Sequence, residues 1–219
     1  MQKSDFEKIL NNYDWDFSNN ILYKLCSDCP THTVGYEVLA KIFFIGRTYA
    51  AAIERRKNKK SDEIGDNFYV QTVVPTIIIS KLDEKLFSIN QYLRVDENNF
   101  CKILEVHKYL SDLFKELTKL EKRSLSSKYL HFHKPNLFFI YDSRVSKALS
   151  SCLPKARISK EHSKLLKEKN IDKTYARFLI KSLALRNKFE EILKRQITLR
   201  EYDKILIHFA NNKIKHNFT

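Results

Sequence analysis

Glycine is nearly absent from this chain: Gly35, Gly46 and Gly65 are the only three in 219 residues, and only four prolines accompany them. So few punctuating residues argue for helices joined by short polar loops. The hydrophobic pattern agrees. Tyr36 to Arg56 reads as a long helix with Val38, Leu39, Ile42, Phe43, Tyr49 and Ile53 on one face. Asn99 to Leu120 and Thr174 to Arg195 repeat that period. Asp66 to Ser80 is rich in β-branched residues, but its length and flanks favour a buried helix in which Pro75 marks a kink or a first turn. Ser4 with Glu7, and Thr198 with Glu201, have capping-box spacing, the second opening a last helix through Phe209. The tail from Asn211 to Thr219 is expected to fray. The expected fold is all-α: one compact domain over 1–219, or two interlocked lobes, 1–60 with 155–219 and 61–154. Arg55 to Glu63 is a candidate joint between lobes, and Ala156 to Asp172 a candidate bridging helix.

A composition 43% hydrophobic and 12% aromatic excludes a disordered chain. Forty basic residues against 26 acidic ones leave a formal net charge of +14, and such a field favours a polyanionic partner, nucleic acid first. The cations cluster. One run is Arg55, Arg56, Lys57, Lys59 and Lys60; a second is Lys155, Arg157, Lys160, Lys164, Lys167, Lys169 and Lys173. No stretch approaches the ~18 apolar residues of a membrane span. MQKSDFEKIL reads as an amphipathic helix start rather than a signal peptide. A cytoplasmic monomer with reduced cysteines is the resulting expectation.

Cys26, Cys29 and His32 have metal-like spacing, yet no second pair completes a ligand set, so no metal or other cofactor is expected. Arg47 inside an apolar helix needs either a buried carboxylate or a ligand phosphate, which makes it, with Tyr49, a candidate pocket residue. The densest chemistry lies in SLSSKYLHFHKPNLFFIYDSRV, from Ser124 to Val145. Small residues and two histidines on a helix lead through Pro135 to the apolar run Leu137 to Tyr141, which stops at Asp142. An Asp before SRVSKAL is a good helix N-cap. It is also a carboxylate held at the end of an apolar segment among Lys122, Arg123, Lys128, Arg144 and Lys147.

A small-residue helix, a proline-containing connection, an apolar run and an Asp opening a helix together resemble the helix-hairpin-helix DNA glycosylase superfamily, over roughly Leu117 to Leu149. The resemblance implies a catalytic role for Asp142, double-stranded DNA as partner, and excision of a modified or damaged base. A closer likeness is to antiphage glycosylases acting on glucosylated hydroxymethylcytosine. It implies DNA contacts from Arg123, Ser124, Ser126, Ser127, Lys128, His131, His133, Arg144 and Lys147, and a base pocket that includes Arg47, Tyr49 and Tyr141. The family hairpin carries glycines; here Leu120, Glu121, Lys122 and Arg123 stand in their place. The family's Schiff-base lysine falls near Ser124, with Lys122 two residues away as a catalytic candidate. A serine there implies a monofunctional enzyme, whereas a shorter connection brings Lys128 to that place. The alternative reading is a non-catalytic nucleic-acid-binding module on the same scaffold.

Overall fold

The computed structural model describes residues 1–12, 16–55, 66–154, 159–214 and 218. Regular structure there is entirely helical: α1 (Lys3–Leu10), α2 (Asp16–Asp28), α3 (Gly35–Thr48), α4 (Asp66–Phe68), a π-turn (Tyr69–Val73), α5 (Val74–Ile79), α6 (Leu82–Phe87), α7 (Phe100–Thr118), α8 (Arg123–His133), α9 (Ser143–Cys152), α10 (Lys160–Leu165), α11 (Lys173–Leu193) and α12 (Leu199–Asn211). No helix among the described residues is long and apolar enough to cross a membrane. Arg56 to Lys60, the joint expected up to Glu63, Ala156, and the cations Lys155 and Arg157 lie outside the described residues.

Several elements differ from the sequence pattern, each for a local reason. The helix expected over Tyr36 to Arg56 ends at Thr48, because the chain reverses through Ala50 at φ 50°. Gly46 permits the reversal: a Cβ there would meet Ala52 Cα at 3.0 Å, and the Ala51 amide donates to the Gly46 carbonyl at 2.8 Å. The kink at Pro75 takes the form of the π-turn before it. Proline lacks the N–H that an α-turn would use, and the Val74 amide reaches back to Tyr69 instead. The first capping box is Gln2 with Asp5, two residues earlier than Ser4 with Glu7; the second is Thr198 with Glu201, as its spacing indicates. The tail docks rather than frays at Phe218, whose ring lies parallel to Phe209 at 6.3 Å and whose amide donates to the Cys152 carbonyl.

The core is one continuous cluster running from Phe6 and Ile9 through α3, α7, α8, α9, α11 and α12 to Phe218. At its centre is α8, with Leu125 through Phe132 all buried. It packs on α2, α3 and α7, while α9 packs on α11 and α12. A helix buried all round must find partners for every polar group it carries. For α8 those groups are Ser126, Ser127, Lys128 and His131, and where they find partners decides where Asp142 sits.

Candidate active site

After α8 the chain turns through Pro135, Asn136 and Leu137 and runs extended from Phe138 into Asp142, without a strand beside it among the described residues. Its backbone is satisfied by side chains instead. The His131 imidazole engages the Phe138 carbonyl through Nδ1 (2.8 Å), the Tyr175 hydroxyl donates to the Phe139 carbonyl (2.9 Å), and the Tyr141 amide donates to Ser127 Oγ (2.9 Å). Side chains alternate along an extended segment. Ile140 and Asp142 therefore face one way, into a cavity, while Phe139 meets Tyr202 and Tyr141 meets Phe178.

The cavity holds about 230 Å³ and draws its walls from α2, the end of α3, α8, the start of α9 and α12. Asp142 caps α9, accepting from the Arg144 amide at 2.9 Å. Its other oxygen accepts from Lys128 Nζ at 3.3 Å. The Lys128 side chain is only 2% exposed, and its ammonium also donates to Ser124 Oγ (3.0 Å) and the Tyr49 carbonyl (3.3 Å). That carbonyl is offered by the reversal at Ala50. Burial lowers the Lys128 pKa, and the Asp142 charge only partly restores it. For Asp142, burial alone would push the carboxyl up, but Lys128 and the Arg144 amide outweigh it and hold the group below its usual range. The result is a half-buried carboxylate against a buried amine whose charge is weakened, facing an open volume.

Asp203, from α12, closes the back of the cavity. Burial pushes its carboxyl up to about 6, against the opposing charges of Arg200 and Lys128 and with that of Asp142. Oδ2 accepts from Arg200 at 2.9 Å. Asn19, from α2, accepts the Tyr49 hydroxyl at 2.6 Å. Both residues line the same cavity and neither stood out in the linear pattern. A signal existed: each lies at helical spacing among core residues, Asp203 between Leu199 and Leu206, Asn19 before Leu22 and Cys26.

The candidate residues thus divide. Asp142, Lys128, Tyr49 and Arg144 line the cavity, Ser124 holds Lys128, and Lys147 is exposed one turn beyond Arg144. The remainder serve the fold. Lys122 does not line the cavity: it precedes α8, and its amine reaches back to the Arg55 carbonyl at 2.6 Å. Arg123 pairs with Asp172 at 2.6 Å and lies over the Tyr141 ring, fixing α8 to the start of α11. Ser126 bonds the Lys122 carbonyl, and Ser127 holds the extended segment, so neither hydroxyl is offered to DNA. His131 is fully buried between Phe138 and the Tyr23 hydroxyl; burial drops its pKa to about 4 and leaves it neutral at pH 7. His133 packs its ring on His32 and Tyr129, and burial lowers its pKa as well. Arg47 pairs with Glu54, which the reversal brings back beside the last turn of α3. Tyr141 faces α11, away from the cavity, because it alternates with Asp142.

His32 gives one ring nitrogen to Asp83 and the other to Tyr129, so its bonding is used within the fold. Comparison of the chain with protein-family models, curated proteins and solved structures finds no match to any of them.

Proposed function

We propose that the protein is a DNA glycosylase, and that its active site is the cavity holding Lys128 and Asp142. The observation that carries this reading is the buried amine 3.3 Å from a half-buried carboxylate at the wall of a 230 Å³ cavity. Such a volume suits one flipped-out base rather than a larger ligand. Breaking an N-glycosidic bond leaves the electron pair on the departing base and positive charge on the sugar. Asp142, ionised and fixed at a helix N-terminus, stabilises that charge in a partly dry site. Removing one such group costs roughly 10²–10³ in rate.

The nucleophile is either water oriented by Asp142 or the Lys128 amine. The burial of Lys128 favours the amine. Loss of a proton to solvent frees its lone pair to attack C1′ as the base departs with the bonding electron pair, and opening of the sugar ring then yields an iminium. Exposed Arg144 and Lys147, one turn apart on α9, supply phosphate contacts beside the opening. The net charge of +14 supports a nucleic-acid substrate.

The test is base release from a panel of modified and unmodified duplexes, followed by mass spectrometry. Asp142→Asn retains a good N-cap, so the variant is expected to fold while releasing base at least 100-fold more slowly. Borohydride should trap a covalent protein–DNA adduct with the wild type and none with Lys128→Ala. Undiminished release by Asp142→Asn would remove that residue from the mechanism. Absence of release from every duplex, with salt-sensitive binding retained, favours the binding-module reading.

A further inference from the structure

Two residues that line the cavity each carry a buried polar atom that nothing in the described protein satisfies: Asn19 Nδ2, a donor, and Asp203 Oδ1, an acceptor. Their side chains are 3% and 2% exposed, so solvent is not a ready substitute. The Tyr49 hydroxyl occupies Asn19 Oδ1 at 2.6 Å, and Arg200 occupies Asp203 Oδ2 at 2.9 Å. Two helices distant in sequence, α2 and α12, thus each place at the lining of one cavity a residue with an orphan atom, the two of opposite hydrogen-bonding sense. Leaving such groups unmet destabilises the fold, and a ligand that meets both recovers that loss.

We propose that Asn19 and Asp203 are the specificity-determining pair of this cavity and that they select a lactam edge, a ring N–H beside an exocyclic carbonyl. The N–H donates to Asp203 Oδ1 and the carbonyl accepts from Asn19 Nδ2. A buried carboxylate favours the more acidic ring N–H of a lactam over the weakly acidic exocyclic amine of an amidine edge such as that of adenine or cytosine. The inference rests on the glycosylase reading for the base being part of DNA, but the recognition itself needs no turnover.

The experiment is calorimetric titration of the full chain with hypoxanthine, uracil, adenine and cytosine as free bases. Hypoxanthine and uracil should bind, with adenine and cytosine at least tenfold weaker. Asn19→Ala and Asp203→Asn should each weaken lactam binding at least tenfold while leaving the far-UV circular dichroism unchanged. Asn19→Asp, which replaces the orphan donor by an acceptor, should do the same. Equal or tighter binding of adenine or cytosine, no binding of any base, or folded variants with wild-type affinity would overturn the assignment. The two proposals fail separately. Lactam binding without release from any DNA removes the enzyme and keeps the pocket. Release confined to cytosine or adenine derivatives does the reverse.

Discussion

Asp203 is a buried carboxyl whose proton is held more tightly in the folded protein than in the unfolded chain. Its ordinary value of 3.8 rises to about 6, with Arg200, Lys128 and Asp142 as the charges around it. The folded state therefore binds more protons between these limits, and this residue's contribution to stability falls as pH rises through them. Two units correspond to roughly 3 kcal/mol lost by pH 7. Asp203→Asn keeps an acceptor for Arg200 and removes the titration. Urea unfolding at pH 4 and pH 7 should show the variant gaining about 1–3 kcal/mol on the wild type as pH rises. A difference constant across that range would mean that Asp203 ionises normally. Lys128 is the opposite kind of group. Its place on a helix of alternating small and apolar residues was legible in the sequence, but the three acceptors around its amine come from α3, α8 and the start of α9. No spacing along the chain announces that convergence.

At the scale of elements, α8 and α11 are joined by one ion pair at the start of α11. Asp172 caps that helix through the Thr174 and Tyr175 amides (2.9 and 3.0 Å) and also takes Arg123. Burial would raise its pKa, yet Arg123 and the Tyr175 amide hold it below the carboxylate range. Its stabilisation is present above the ordinary carboxylate pKa and disappears as pH falls through the lowered value, the reverse of Asp203. Asp172→Ala removes cap and pair together and should cost about 3 kcal/mol; Asp172→Asn, which can still cap, should cost about 1 kcal/mol. Thermal unfolding of the two variants against wild type measures the difference, and equal losses would assign the whole effect to the ion pair. The same junction explains why Arg123 and Tyr141 do not line the cavity. They tie α11 to α8 and to the segment that leads into α9. Helix α7 ends on Lys119 in the left-handed conformation, φ 58°, at a capping position where glycine is the usual residue.

For the molecule as a whole, the chain ends are part of the core. Phe6 and Phe218 both pack on Phe189 and Phe209. Phe218→Ala should lower stability by about 3 kcal/mol in chemical denaturation without altering base binding. A stability change within 0.5 kcal/mol of zero, roughly the range of surface substitutions, would place that ring outside the fold. If the protein binds duplex DNA, Arg144→Glu with Lys147→Glu should weaken binding and flatten its salt dependence by about two phosphate contacts. Unaltered salt dependence would put the DNA elsewhere. The all-helical fold, the apolar faces of α7, α11 and α12, and the N-cap at Asp142 were legible in the sequence, because each is set by periodicity and capping within one segment. The end of α3 was not, since the reversal depends on Gly46 accepting Ala52 at close range. Nor were the partners of Arg47, Lys122 and His131, which lie far along the chain or across a turn. Local order is written in neighbours three and four residues apart. The cavity is made by residues 19, 49, 128, 142 and 203, and only packing that buries α8 on every side brings those five together.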